Sequence, residues 1–471
     1  MTMKTYQLYI NGKWQDASSQ EKREVLNPTT EAAIAQVQMA NPEDVDQAVA
    51  AAKAAFPAWN QLPRQERANY LQKIADGIRE RQDDLIDSIV QELGSSRSYV
   101  AYQQVLRSAE ELEASIQASE AIDFEQTIDN STIIKEGFGV VAAICPWNFP
   151  LNQIQRKMTP ALLAGNTMVV KPATETPGAA MILAEIIDQV GLPAGVFNLI
   201  TGSGSETGDY LAGHPDVRLI SFTGSTKVGK SLYDKAKTSV KKLVLELGGK
   251  SPLVLLADGD IDLAVKTALD TLTYNSGQIC TALSRLIVPN QLVAQVEQVA
   301  CDYLDSLKMG DPDQEDTVIG PLVSAKQQAT VLKYIEEGLA SGGRIVSNPK
   351  PCPDQGFYVR PTIFSGITNE MPIAREEIFG PVLVIIGYET PEEALEIAND
   401  TPYGLSGAVV GPDQAALDFA RQMRTGNIMI NGAGQHHFAP FGGYRESGLG
   451  RERGAYGIED YLEVKAIFHP K

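Results

Sequence analysis

The sequence predicts an α/β chain, doubly wound and built in two halves. Three observations carry that expectation. Val140-Val141-Ala142-Ala143-Ile144-Cys145 is an uninterrupted apolar run between Gly137 and Pro146, and similar runs recur at 167–170, 196–200, 219–222 and 243–245. A strand that is apolar at every position suits burial on both faces, as in a parallel sheet covered by helices. Helical patterns at 179–190 and 226–238 fill the gaps, which gives the strand–helix rhythm of that architecture. A second α/β pattern begins near Ser251 and runs to about Asn431, with no tandem repeat or low-complexity linker. The two halves are therefore expected to pack tightly.

The remaining segments follow in order. Tyr9-Ile10-Asn11-Gly12-Lys13-Trp14 predicts strand, turn and strand centred on Asn-Gly. In 42–56, Ala48, Val49, Ala52 and Phe56 recur at helical spacing, and the helical pattern continues through 65–93 and 98–118. Segments 121–136 and 461–468 are strand-like but have no place in either sheet. Exposed edge strands invite pairing with another chain, so both are read as a dimer-forming arm, with a flap on the same subunit as the alternative.

Composition narrows the function. The 471 residues carry 40 basic and 59 acidic side chains, a net charge of −19. That balance argues against nucleic acid or an anionic membrane as the main partner, and leaves room for a local basic pocket around a phosphate-bearing cofactor. The four cysteines, Cys145, Cys280, Cys301 and Cys352, form no C-x-x-C pair, so neither a disulfide framework nor a zinc site is suggested. Cys145, Cys301 and Cys352 read as small buried hydrophobes. His436-His437 has no acidic or cysteine companion nearby, and no metal is expected. With no apolar signal core at the start and no run of about 18 apolar residues, a cytoplasmic protein is expected.

Three polar groups stand out against this background. Asn275-Ser276-Gly277-Gln278-Ile279-Cys280 sets a thiol beside a turn of small residues. Leu245-Glu246-Leu247-Gly248-Gly249-Lys250 places a carboxylate at the end of an apolar run. Pro146-Trp147-Asn148-Phe149-Pro150 places an amide just beyond another. Thiol, carboxylate and amide are what a covalent aldehyde oxidation needs. A rival pattern overlaps them. Residues 224–231, Gly-Ser-Thr-Lys-Val-Gly-Lys-Ser, satisfy the phosphate-loop pattern, and the run ending at Asp258 imitates a magnesium-holding strand end. A nucleotide triphosphatase is thus the alternative, although it leaves Asn148 and Cys280 without a role.

The chain resembles the aldehyde dehydrogenases over nearly its full length. Besides the motifs at 146–150, 246–250 and 277–280, the resemblance rests on Lys171-Pro172, Phe222-Thr223-Gly224-Ser225, Glu377-Ile378-Phe379-Gly380-Pro381 and Pro440-Phe441-Gly442-Gly443, all in the family's order. It implies a Rossmann-like cofactor domain (1–118 and 137–247), an α/β catalytic domain (248–447) and a small β oligomerisation arm (119–136 and 448–471), assembled as a homodimer or homotetramer. It also implies that Cys280 is the nucleophile, that Asn148 and the Cys280 backbone N–H hold the oxyanion, and that Glu246 is the base for hydrolysis. Acylating relatives lack that glutamate.

The same resemblance implies NAD or NADP as cofactor. The nucleotide would lie against Ile144, Pro146, Trp147, Lys171, Thr174, Gly204, Gly208, Phe222, Thr223, Gly224, Ser225, Val228, Leu247, Glu377 and Phe379. The family often has a glutamate at the place of Thr174, where it repels a 2′-phosphate. Glu175 follows, but its side chain is expected to point elsewhere, so NADP is expected to be tolerated. Phe149, Arg156 and Thr281 would meet the aldehyde. An arginine at 156 is similar to the lactaldehyde and succinate-semialdehyde enzymes and suits a polar or carboxylate tail, with a structural ion pair as the alternative. The second arginine of the semialdehyde enzymes is replaced by Tyr274. Glu452 is a candidate for relaying protons.

Overall fold

The computed structural model describes residues 3–470. Its larger sheet runs, edge to edge, through Gly448–Leu449, Lys242–Glu246, Val217–Thr223, Val140–Ile144, Thr167–Lys171, Phe197–Leu199, Leu8–Ile10 and Lys13–Gln15. The five strands from Lys242–Glu246 to Phe197–Leu199 are parallel. The chain builds outward from Val140–Ile144 in one direction, then returns to add Val217–Thr223 on its other side. That reversal is a topological switch point, where open α/β sheets leave a crevice at the strands' carboxyl ends.

The apolar runs are explained by the two layers they serve. Val141 and Ala143 face one apolar layer together with Met168 and Val170. Val140, Ala142, Ile144 and Val169 face the other. The hairpin forms as expected: Asn11 and Gly12 have φ of 54° and 71°, the left-handed pair that a tight two-residue turn requires. It extends the sheet by antiparallel pairing of Tyr9 with Leu199. Residues 42–56 lie in the helix Pro42–Gln61, with Ala48, Val49 and Ala52 buried.

Two helical expectations are refined. The stretch 65–93 is two helices, Arg64–Glu80 and Gln82–Leu93, broken at Arg81. There the Arg81 guanidinium holds Asp84 at 2.5 Å and Glu185 at 3.1 Å. The stretch 98–118 contains a π-helical segment, Val100–Leu106, between Arg97–Tyr99 and Arg107–Ala118. A π segment widens the turn and shifts which residues share a face. Here Tyr99, Gln103 and Arg107 come to line one cavity.

The second sheet runs Arg344–Ile345, Thr362–Ser365, Val382–Tyr388, Arg285–Pro289, Pro252–Leu255, Ser406–Val410 and Asn427–Ile430. It is parallel except at its first edge. The two stray strand-like segments pair with each other: Leu462–Phe468 lies antiparallel to Ser131–Gly137, which pairs with Glu125–Ile128. The expected arm boundary at 448 is corrected. Gly448–Leu449 is the edge of the larger sheet, and buried Tyr461 hydrogen-bonds Ser221 within that sheet at 2.7 Å, so only the strand from Leu462 stands outside. A further small sheet of Lys4–Tyr6, Ala33–Gln38 and Lys22–Leu26 was not foreseen. No helix among the described residues is long and apolar enough to cross a membrane.

Candidate active site

Cys280 is held by a strained turn. After the helix Ile261–Thr273, three consecutive residues, Asn275, Ser276 and Gly277, take φ of 51°, 53° and 73°. Left-handed backbone costs a non-glycine residue about 1–2 kcal/mol. The surroundings hold it in place. Ser276 Oγ donates to Gly320 O at 2.7 Å. Gln278 Nε2 donates to Asn275 O at 2.9 Å, and Gln278 Oε1 accepts from Val323 N at 2.9 Å. A Cβ on Gly277 would overlap the carbonyl of Gly380, so the turn also needs a glycine for space.

Asn148 is tied to the same turn. Its Nδ2 donates to Gln278 O at 2.9 Å, and its own carbonyl accepts from Asn275 Nδ2 at 3.0 Å. One amide hydrogen remains for a ligand. Among the described residues the Cys280 N–H has no acceptor. Burial pushes the Cys280 thiol up to about 12, with the Glu377 and Glu246 carboxylates adding to the shift and Arg156 opposing it.

The thiol stands where two cavities meet, each of about 280 Å³. One opens toward the larger sheet's carboxyl ends. Pro146, Trp147, Asn148, Thr223, Gly224, Ser225, Leu247, Glu377 and Phe379 line it together with Cys280. Ser225 caps the helix Thr226–Ala236, its Oγ accepting from Val228 N at 3.4 Å, so that helix's N-terminus faces the crevice. A Cβ on Gly224 would lie 2.5 Å from the Phe222 ring. Gly248 is as tightly placed, since a Cβ there would overlap the Glu377 carboxylate. Gly249 N donates to Glu377 Oε1 at 3.1 Å, and burial lifts that carboxyl to about 7. Phe379, at φ 58°, sets its ring edge-on to Trp147 with centroids 5.3 Å apart. Bare backbone, an oriented helix end and a carboxylate fit a phosphate- and ribose-bearing nucleotide.

Ile144, Phe222 and Val228 lie beneath or beside this cavity rather than on its wall. Lys171, Thr174, Gly204 and Gly208 do not line this cavity; Lys171 ends the neighbouring strand Thr167–Lys171. Lys171 Nζ donates to Pro172 O at 2.8 Å and Gly202 O at 3.1 Å, and burial lowers it to about 8. Gly208 packs on the Lys171 stem. The expectation for Glu175 is corrected: its carboxylate turns back and accepts from Thr174 Oγ1 at 3.3 Å.

Glu246 ends the strand Lys242–Glu246 and is buried, with no hydrogen-bond partner for either carboxylate oxygen among the described residues. Burial first, and the nearby Glu452 second, raise its pKa well above the usual range. Glu452 is ion-paired with Lys157 Nζ at 2.9 Å, and that nitrogen also donates to Thr223 Oγ1 at 2.6 Å.

The other cavity holds Phe149, Arg156 and Thr281, with Tyr99, Tyr274, Arg107 and Arg453, and shares Gln153 and Cys280 with the first. Tyr99 stacks on Tyr274 at 5.2 Å and meets Phe149 edge-on at 6.4 Å. Arg156 is ion-paired: its Nε and a terminal nitrogen reach Glu111 at 2.8 and 3.0 Å. Tyr99, Arg107, Glu111, Gln153, Lys157, Gln327 and Arg453 escaped the sequence reading. Only the four-residue spacing of Arg107 and Glu111 offered a signal.

The triphosphatase alternative fails on geometry. The helix already begins at Thr226, so Lys230 and Ser231 sit on its later turns. Lys230 pairs with Glu446 at 2.8 Å, and Ser231 Oγ bonds Val228 O. Asp258 follows a strand of the other sheet. Cys145 and Cys301 are buried as expected, whereas Cys352 is half-exposed because it lies in a loop rather than a core element.

A doubly wound domain with a crevice at its strands' carboxyl ends, and a thiol where that crevice meets a second cavity, place the protein among the nucleotide-dependent oxidoreductases. The chain belongs to the aldehyde dehydrogenase family, whose model matches residues 14–467. A Staphylococcus saprophyticus relative that carries only the family's name is 43% identical over 463 residues, 98% of each chain. Among solved structures, a cysteine-to-alanine variant of aldehyde dehydrogenase C from Pseudomonas syringae, in complex with NAD+ and octanal, is 41% identical with a TM-score of 0.96, covering 98% of this chain and 96% of that one. A lactaldehyde dehydrogenase is 34% identical with a TM-score of 0.96, covering 100% of both chains.

Proposed function

We infer that the protein oxidises aldehydes to carboxylic acids through Cys280, with NAD or NADP as the acceptor, and that small polar aldehydes are favoured within a broad range. The observation that carries the reading is the position of Cys280 between two cavities, one lined by Gly224, Gly248, a helix N-terminus and Glu377, the other by Phe149, Arg156 and Thr281. Solved relatives that bind NAD+ support the cofactor.

The chain's own groups supply the steps. Burial holds the Cys280 thiol protonated, so it first gives its proton to the unpartnered Glu246 carboxylate, which passes it on toward Glu452, and then adds to the aldehyde carbon as thiolate. The free hydrogen of Asn148 Nδ2 and the Cys280 N–H donate to the oxyanion that forms. The nicotinamide nucleotide, when bound, supplies the hydride acceptor. Glu246 then takes a proton from the water that attacks the thioester. An unpartnered carboxyl with a raised pKa is suited to that role, because its carboxylate is a stronger base than an exposed one. Glu452 and Lys157 continue the polar path inward.

Glu377 would hold the nicotinamide ribose, and Lys171 the adenosine ribose. NADP is expected to be used, with Glu175 lowering its efficiency. The projecting strands carry exposed Ile128, Val464, Ile467 and Phe468, and their outer edges suit pairing between copies of this chain in a dimer or tetramer. An aldehyde panel assayed by nicotinamide absorbance with each cofactor tests the reading. Acid production by Cys280→Ala at the unaltered rate would overturn it.

A further inference from the structure

Four lysines are buried among the described residues: Lys157, Lys171, Lys241 and Lys250. The first three give their ammonium hydrogens to oxygens between 2.6 and 3.1 Å away. Lys250 differs. It is 2% exposed, and among the described residues its Nζ has no acceptor. A buried ammonium without a partner is costly. An apolar chain of the same length would avoid that cost, so the charge itself calls for an explanation.

Lys250 follows the glycine pair at 248–249 behind the crevice. Gly249 N donates to Glu377 Oε1 at 3.1 Å. Lys250 and Glu377 both line a cavity of about 10 Å³, together with Gly277, Ile279 and Gly380. That volume takes a single water. Of the charges around Lys250, Glu377 and Glu376 favour its ammonium and Arg285 opposes it. Glu376 is engaged with Tyr334 Oη at 2.6 Å. Arg285 is fixed by Asn369 Oδ1 and by the carbonyls of Lys250, Ile397 and Ala398. Cys280 and Tyr403 face Glu377 as well, and its charge holds both of them protonated. Glu377 is therefore the carboxylate left for Lys250. Burial lifts the acid to about 7 and lowers the lysine to about 7, while each favours the charged form of the other.

We propose that Lys250 is a positioning residue for the nucleotide: across this water-sized cavity its ammonium keeps the Glu377 carboxylate ionised and turned to the crevice, ready to accept from ribose hydroxyls. The proposal rests on nucleotide binding at Glu377 and adds the group that sets its charge. An ionised carboxylate only accepts, so it suits two neighbouring hydroxyls. As pH falls, Glu377 takes up a proton and its hold on the ribose weakens. Lys250 delays that loss, and without it the loss begins at higher pH.

Binding is read without turnover in the Cys280→Ala background, by tryptophan fluorescence, since Trp147 lies in the crevice against Phe379. The dissociation constant for NAD should rise on acidification. Lys250→Met should move that rise upward by about one pH unit, giving about fivefold weaker binding near pH 7 and nearly unaltered binding near pH 9. Methionine replaces an unpartnered charge with an apolar chain of similar length, so the melting temperature without nucleotide should hold or rise. Glu377→Gln cannot titrate and should flatten the pH dependence, and adding Lys250→Met to it should weaken binding no further. An unshifted profile in Lys250→Met would overturn the proposal. So would a loss of equal size near pH 7 and pH 9, or a further loss in the double variant. Full NAD binding by Glu377→Gln would overturn the ribose contact itself, and the proposal with it.

Discussion

The two cavities that meet at Cys280 are equal in volume and opposite in construction. The cavity proposed for the nucleotide combines strand ends, the N-terminus of the helix Thr226–Ala236 and glycines at 224 and 248 that leave no room for a Cβ with the Trp147, Glu377 and Phe379 side chains. The cavity proposed for the aldehyde is lined by long side chains from distant segments, with Arg107, Arg156 and Arg453 converging on the one buried carboxylate of Glu111. Where backbone and glycines form a wall, few ligand shapes fit and single substitutions change little. A wall of side chains can be re-aimed by single substitutions, so specificity is expected to reside there.

The predictions test that contrast. The shared thiol should matter most. Cys280→Ala should lower acid formation from every aldehyde by about 10⁴-fold or more, whichever cofactor is used, and residual turnover of one aldehyde alone would mean a second reaction centre. Glu246→Gln should slow turnover about 10²–10⁴-fold and leave a burst of reduced cofactor in rapid-mixing traces. Because burial holds the Glu246 pKa high, its base form grows with rising pH, so the unaltered enzyme should show a rising limb in kcat that the variant lacks.

The next pair separates the walls. Glu111→Gln leaves buried Arg453 and the half-buried Arg107 and Arg156 without their acid and should cost about 3 kcal/mol of stability, read by denaturant unfolding, with KM for NAD unchanged in whatever folds. Gly248→Ala should act on the other wall, raising KM for NAD about tenfold by displacing Glu377 at a cost of about 1–3 kcal/mol in stability, with KM for aldehyde nearly unchanged. If both variants moved both KM values together, the division into two walls would be wrong. The smallest effect is expected at the edge of the nucleotide side. Glu175→Gln removes a charge beside Thr174 and should raise kcat/KM for NADP about two- to fivefold, without helping NAD.

How much of this was legible in the sequence follows the same division. The runs at 140–145 and 167–170 could be read as strands because every apolar position serves one of two layers. Turns such as Gly224-Ser225 and Gly248-Gly249 could be marked in the sequence because close backbone approach leaves a short-range signature of glycine. Arg156 was singled out, but its partner Glu111 was not, because nothing local links a residue on one helix to a carboxylate 45 positions earlier. Arg453 was missed for the same reason. The phosphate-loop pattern at 224–231 shows the opposite error: the right letters sit in a helix already begun, so Lys230 faces Glu446 and not the crevice.

The sequence by itself determined the layers and the tight glycine turns, because those depend on periodicity and on conformations that few residues can take; the strand order and its switch point came from the fold. Only the tertiary structure decided which charges neutralise one another and where a positive excess is left over. Electrostatic partnership is set by distance through space, and packing of the helices Arg107–Ala118 and Pro150–Leu163 against the segment around Arg453 fixes that distance.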